Sequence, residues 1–465
     1  MNSIFEELNK NKEVVSFHVP GHKNGKLFNK LGYDLNELSK LDSTEIIGTD
    51  NLFNADGIIK ESMDRCSKVF GSDKSYFLTN GTTCGIYSAI MGGCDLKDKV
   101  IVNRDCHQSV INASILGDID LVYGFCDINE NLSTVLNVEN FINLIEDNKD
   151  AKAILVTYPT YYGQTFDLER ICKKAHENNM IVIVDEAHGA HLGLSEYLPK
   201  TALSLGADIV IQSTHKTLTS FTQSSIMHIK SDKVDFNRVE NFLRIFQSSS
   251  PSYLLMTSLE ISVDIYDKYG KELMKKLINE IDYFKAHFVD NSNISIQNEY
   301  DKTKIFVKID SICGYDLEKI LRFEYDIQVE LSNYYGVLLV SSIGNDVYDF
   351  LKLKNALISI IKDNKNGEIL DIDLEKLKCG LKNIPTKKFL LKESFYKIKK
   401  SVKIEDSINE VCGEFVIPYP PGVSIISPGE IITQEIIDTI MFYKKFNFSI
   451  NGMKDSNLEY IEVIV

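Results

Sequence analysis

Two short β-branched runs that stop abruptly at ionisable residues constrain this chain more than any other feature. Ile181 to Val184 leads into Asp185, Glu186, Ala187 and His188, and Ile209 to Ile211 leads into Gln212, Ser213, Thr214, His215 and Lys216. Apolar runs of this length, bounded by polar residues, are the pattern of strands buried on both faces. In an open α/β sheet, ligands bind beyond the carboxyl ends of the strands. Asp185, His188, Ser213, His215 and Lys216 are therefore where chemistry is expected.

Pyridoxal phosphate needs this combination at neighbouring strand ends: a lysine for a Schiff base, a carboxylate to keep the pyridine nitrogen protonated, and hydroxyl or imidazole donors for the phosphate. Two plainer readings compete. A lysine after a strand is most often a solvated surface group, and a strand-end aspartate often only caps a helix. The run VDEAH also looks like the Asp-Glu-Ala-His box of nucleotide-driven helicases, which requires an upstream phosphate loop of the form G-x-x-x-x-G-K-[ST]. The nearest approach, Gly21 to Leu27, is one residue short between its glycines and has Leu27 in place of the hydroxyl residue. The helicase reading fails there.

Composition narrows the class. A chain of 465 residues with 44% hydrophobic and 25% charged residues has the make-up of a soluble globular protein with two or three domains. A formal charge of −15 argues against nucleic-acid and anionic-membrane partners and mildly favours cationic small molecules. Nine scattered cysteines, with no C-x-x-C pair, read as reduced thiols and not as a disulfide framework or zinc site. The acidic start MNSIFEELNKNKEVV is no signal peptide, and no apolar run approaches the ~20 residues of a bilayer span. A cytoplasmic location is expected.

Along the chain, Pro20-Gly21 between His18 and His22 makes a turn, so paired metal ligation by those histidines is not expected. Ile58 to Phe70 has helical periodicity, with Gly71 as its stop. Tyr76 to Leu78 leads into Asn80-Gly81-Thr82-Thr83 and a small-residue helix, whose N-terminus is either a ready anion site or an ordinarily capped end. Val100 to Val102 is followed by Arg104, Asp105 and His107, an imidazole placed to lie flat on an aromatic cofactor. A further run in AKAILVTYPTYYG and a helix at Leu168 to Asn178 complete a strand–helix alternation that predicts a mainly parallel, doubly covered sheet. SSSPSYLLM opens a long helical region. From about Ile294, the strand candidates KIFVKI, DIQVEL and GVLLVSSIG with two helices predict a smaller α+β domain. KNIPTKKFLLKESFYKIKKSVKIED is the linker candidate. The expected division is 1–285, 286–380 and 381–465.

With these motifs assembled, the chain resembles the Orn/Lys/Arg decarboxylase family of fold type I pyridoxal-phosphate enzymes. FHVPGHKNG, YFLTNGTTCGI, NRDCHQS, VDEAHGAH, QSTHKTLTSFTQSS, SSSPSYLLM and PYPPGVSIISPGE occur in the family's order. It resembles the short bacterial form, which begins at the PGHK segment without a response-regulator-like domain. The resemblance implies Lys216 as the Schiff-base lysine, Asp185 as partner of the pyridine nitrogen, and His107 stacked on the ring with Ala187 on the opposite face. Thr82, Thr83, Ser213 and His215 would hold the phosphate, and Ser249 would reach the phosphate of a neighbouring subunit in a homodimer. His188 stands where longer members have an aromatic residue, and LTSFTQSS departs slightly from the more usual LPALTQ-like run. The implied reaction is decarboxylation of a basic amino acid, arginine to agmatine first, lysine or ornithine as alternatives, in polyamine metabolism. Glu330 occupies the family position for pairing the substrate's distal cation. An aminotransferase or lyase on the same fold, or an idle regulatory homologue, remain the competing readings.

Overall fold

Strand runs buried on both faces build the large sheet. The computed structural model describes residues 15–17, 28, 30–32, 50–129, 131, 133–298, 300–363, 384–419, 422–446 and 448–465. The turn at His18 and His22, Cys379, the start of the linker candidate and the Pro420-Pro421 pair lie outside the described residues. Strands β1 (Lys74–Leu78), β2 (Lys99–Asn103), β3 (Asp120–Gly124), β4 (Ala153–Thr157), β5 (Ile181–Asp185), β6 (Ile209–Gln212) and β7 (Ser225–Ile229) form one seven-stranded sheet. Its order is β1-β7-β6-β5-β4-β2-β3, with β7 antiparallel to both neighbours and the other strands parallel. The two β-branched runs, β5 and β6, are adjacent at the centre, with Asp185 opposite Ile211.

Period-two alternation divides the core between the two faces of this sheet. Ile101, Ile154, Val156, Val182, Val184 and Val210 belong to one cluster, while Val100, Val102, Leu155, Ile183, Ile209 and Ile211 belong to the other. Helices α1 (Ile58–Phe70), α2 (Gly81–Gly93), α3 (Gln108–Gly117), α4 (Leu168–Glu177) and α5 (Tyr253–Ala286) have the expected places, and Gly71 ends α1 in the left-handed conformation. Helix α2 lies so close to the sheet that a Cβ on Gly85 would come within 2.7 Å of Leu78 and 2.8 Å of Ile211. Its small residues permit that approach and bring its N-terminus against the strand ends.

The long α5 leads to a four-stranded antiparallel sheet containing β8 (Ile294–Asn298), β9 (Lys304–Ile309), β10 (Leu331–Ser332) and β11 (Val337–Val340). Its residues Ile305, Val307, Val337 and Leu339 share a core with the first face of the large sheet. One expectation is corrected: DIQVEL is not one strand. Ile327–Gln328 pairs in parallel with Val15–Ser16, whereas Leu331–Ser332 pairs antiparallel with β11, so the run is split between two sheets with Val329 and Glu330 at the switch. The C-terminal segment has its own core, including Ile404, Cys412, Ile426, Ile437, Ile440, Tyr443 and Val463. Among the described residues no helix is long and apolar enough to cross a membrane, and no cluster of metal-ligating side chains occurs. The eight described cysteines are unpaired.

Candidate active site

The carboxyl ends of β2, β4, β5 and β6 and the N-terminus of α2 converge. Asp185 ends β5 almost fully buried, and its Oδ1 accepts the Ala187 N–H at 3.1 Å, which fixes the carboxylate and holds buried Ala187 beside it. The next carboxyl, Glu186, points elsewhere. It is buried, accepting from Ala202 N at 2.7 Å and Gln212 Nε2 at 2.6 Å, and burial pushes its pKa up to about 8. After β6 a single helical turn, Thr214–Thr217, brings Lys216 back over the strand ends. Burial lowers the pKa of the Lys216 ammonium, against the opposing pull of Asp185 and then Glu330. Lys216 Nζ lies 3.0 Å from His188 Nε2.

At the other end of the site, three elements contribute hydroxyls to one point. Thr82 Oγ1 is 2.6 Å from Ser213 Oγ and 2.9 Å from Ser225 Oγ. Gly81, at φ 77°, starts α2, and the Asn80 side chain does not cap it. An N-terminus with unbonded amides, beside hydroxyls, is an anion cradle. Thr83 stands in the same first turn, partly exposed. His215 donates from Nδ1 to the Ser224 carbonyl at 2.8 Å, which leaves Nε2 as an acceptor in the neutral ring; burial lowers its pKa. His107 caps α3, its Nδ1 accepting the Ser109 N–H at 3.1 Å. Ser249 makes no bond to these groups within one chain. It is exposed, in the loop whose Ser248 N–H donates to Asn80 Oδ1 at 3.4 Å, beside the start of α2.

The small sheet closes the site from the opposite side. Glu330 lies at the switch between the two strand fragments; its N–H donates to Leu338 O at 2.9 Å, and its carboxylate accepts from the Tyr161 hydroxyl. The Tyr161 ring meets His188 edge-on at 4.5 Å between centroids. Lys304, first residue of β9, is 1% exposed, with Nζ 3.4 Å from His188 Nδ1. Thus His188 sits between two lysines. Tyr161, Ser225 and Lys304 are absent from the sequence-based set. Tyr161 follows β4, so the strand-end rule could have found it. Lys304 opens an apolar strand, a position that reads as solvated, and carries no signal.

These residues fit pyridoxal phosphate on their own chemistry: an uncapped helix start with clustered hydroxyls for the phosphate, a buried carboxylate at the neighbouring strand end, and an amine beside both. The fold is that of the fold type I class, with a mainly parallel sheet whose site lies at the strand ends. The E. coli constitutive lysine decarboxylase structure superposes with a TM-score of 0.80 at 19% identity, covering 97% of this chain and 79% of that one. The Francisella novicida lysine decarboxylase LdcF gives 0.77 at 21%, covering 99% and 80%. Residues 4–309 match the Orn/Lys/Arg decarboxylase major domain and residues 390–456 its C-terminal domain. This chain belongs to the Orn/Lys/Arg decarboxylase family. It is 32% identical over 475 residues to the arginine decarboxylase of Bacillus subtilis strain 168, covering 97% of this chain and 95% of the relative. Against the inducible lysine decarboxylase of E. coli K12 it is 23% identical over 532 residues, covering 90% and 73%.

Proposed function

We propose that the protein is a pyridoxal-phosphate-dependent decarboxylase of basic amino acids that converts arginine to agmatine and carbon dioxide. The observation that carries this reading is the convergence of Lys216, Asp185 and the Thr82–Ser213–Ser225 hydroxyls at one end of the sheet, with Glu330 facing them from the small sheet. The full-length similarity to arginine decarboxylases favours arginine over lysine.

In this reading Thr82, Thr83, Ser213, Ser225 and the α2 amides would hold the phosphate, with His215 joining through Nε2 when that nitrogen carries a proton. Lys216 would hold the cofactor covalently through its amine. Bound there, the cofactor supplies an electron sink for the bond to the carboxylate. Asp185, a buried carboxylate, would keep the ring nitrogen protonated. His107 and Ala187 would flank the ring. Glu330, oriented by Tyr161, takes the distal guanidinium, since a carboxylate can pair with it through two hydrogen bonds. Ser249 lies where a homodimer partner would be needed to bring it to a phosphate, and cytoplasmic polyamine supply belongs to the same proposal.

The test is carbon dioxide release by purified protein with arginine, lysine and ornithine, together with borohydride reduction. Arginine should be turned over fastest, and Lys216→Ala should lose the reducible cofactor linkage. Faster lysine turnover would overturn the substrate, and a covalent adduct on the same peptide of Lys216→Ala would overturn the lysine assignment.

A further inference from the structure

We propose that His188 delivers the proton that takes the place of the lost carboxylate on the substrate α-carbon, and that Lys304 resupplies His188 through its other ring nitrogen. The inference deepens the decarboxylase reading and rests on Lys216 marking the reacting centre.

Geometry defines the direction of the relay. His188 Nε2 is 3.0 Å from Lys216 Nζ, and His188 Nδ1 is 3.4 Å from Lys304 Nζ. An ammonium has donors and no acceptor. Contact with the Lys304 ammonium therefore makes Nδ1 the acceptor, and the single proton of a neutral ring falls on Nε2, facing Lys216, whose nitrogen in the decarboxylase reading is committed to the cofactor and is not an ammonium donor. The ring is held neutral first by burial and then by Lys216, Lys304, His215 and His107 around it; the negative charges nearby, Asp185, Asp301 and Glu330, act on the lysines. Edge contact with Tyr161 fixes the ring's tilt.

The Lys304 ammonium holds its proton less tightly than a paired one. A buried ammonium is costly unless paired, yet no carboxylate oxygen of the described residues lies within ion-pair distance of it. Asp301 binds His191 Nε2 at 3.1 Å and Thr303 Oγ1 at 2.7 Å, and Glu330 binds Tyr161. A Cβ on Gly163, at φ 87°, would come within 2.8 Å of Lys304 Cγ, so the YPTYYG loop closes directly on the lysine stem and holds it toward His188. Burial lowers the pKa of Lys304, with Asp301 and then Glu330 opposing. The neutral amine is correspondingly accessible. The 3.4 Å contact is long, but catalytic hydrogen bonds commonly tighten only around the reacting substrate.

The step balances as follows. The bond from the α-carbon to the carboxylate breaks, carbon dioxide leaves, and the carbon retains the electron pair. That pair takes the proton from His188 Nε2 while Nδ1 takes one from the Lys304 ammonium. His188 ends neutral as the other tautomer and Lys304 ends as an amine; when product leaves, Nε2 takes a proton from solvent and Nδ1 returns its proton to Lys304, which restores the starting state. His188 is thus a catalytic residue and Lys304 a positioning residue and proton reserve.

The test combines a spectrum with kinetics. In ¹⁵N-histidine NMR of the wild-type protein without amino acid, the signals missing from His188→Gln should report a neutral Nε2–H ring from roughly pH 6 to 8, since burial and neighbouring cations oppose its charging. Lys304→Met should mix the tautomers. In deuterium oxide, wild type should place one deuterium on the α-carbon in a single configuration. His188→Gln should lose that selectivity, with kcat falling about 10²–10⁴-fold, the range for a general acid, and KM changing less than about threefold. Lys304→Gln, whose amide donates to Nδ1 but has no proton to surrender, should restore the tautomer and not kcat. A charged or Nδ1–H His188 in wild type would overturn the proposal, as would His188→Gln with unchanged configuration and kcat within about threefold. Recovery of kcat in Lys304→Gln would overturn the resupply by Lys304. Failure to release carbon dioxide from any amino acid would instead sink the decarboxylase reading, and the wild-type His188 spectrum distinguishes the two.

Discussion

Replacing Arg104 by Met should release the C-terminal segment from the carboxyl end of β2. The Arg104 guanidinium makes two 2.7 Å bonds to Glu430, donates from Nε to the Ser424 carbonyl at 2.8 Å, and lies 4.4 Å from the Tyr123 ring centroid. Both partners are buried, with side chains 4% and 3% exposed. Methionine fills much of the volume and keeps a contact with Tyr123, but it leaves Glu430 as a buried charge without its counter-ion. Breaking one partner of a buried pair costs about 3–5 kcal/mol. At 1.4 kcal/mol per tenfold, local opening becomes roughly 10²- to 4 × 10³-fold more frequent. Hydrogen exchange over 422–432 reads this directly, because the Ser427 N–H donates to Glu430 Oε2 at 2.7 Å. Arg104→Met should exchange there faster by that factor, while β5 and β6 stay protected. The double variant Arg104→Met/Glu430→Met should recover most of the protection, since the cost lies in the orphaned charge and not in the lost pair. Unchanged exchange in the single variant, or no recovery in the double one, would refute the reasoning.

Three further outcomes follow from the site. Asp185→Asn should retain cofactor but lose roughly a hundredfold or more in kcat, because an amide cannot stabilise the ring's positive charge; near-normal turnover by a folded variant would contradict this. Glu330→Gln should raise KM for arginine far more than it weakens cofactor binding, and equal kinetics on arginine, lysine and ornithine for both proteins would remove Glu330 from the substrate site. Glu186 has its pKa raised from 4.5 to about 8, so the folded state holds its proton longer than the unfolded one. The stability from its neutral form is complete below about pH 4.5 and is lost as pH rises to about 8, a change on the order of 5 kcal/mol. Glu186→Gln should flatten urea midpoints across that window, and parallel curves for the two proteins would refute the assignment.

Much of the large sheet was legible because the information is local. Short β-branched runs and abrupt polar ends place β5 and β6, the strand-end rule puts Asp185 and Lys216 at the same edge, and Gly71 marks the stop of α1. The DIQVEL run was misread for an equally physical reason: its apolar pattern suits either sheet, and only pairing with Val15–Ser16 on one side and β11 on the other breaks it.

The sequence by itself determined the strand and helix periods, the kind of chemistry available at the strand ends, and the family pattern that carries Lys216. Tertiary structure alone decided that His188 stands between Lys216 and Lys304, the latter 116 residues away, and that Tyr161 meets Glu330 across 169 residues. A side chain's neighbours in sequence set its local conformation, but the burial and charge around it come from elements brought together by packing. Lys304 reads as a solvated strand end until the YPTYYG loop closes over its stem, and only then does its ammonium acquire a partner in His188.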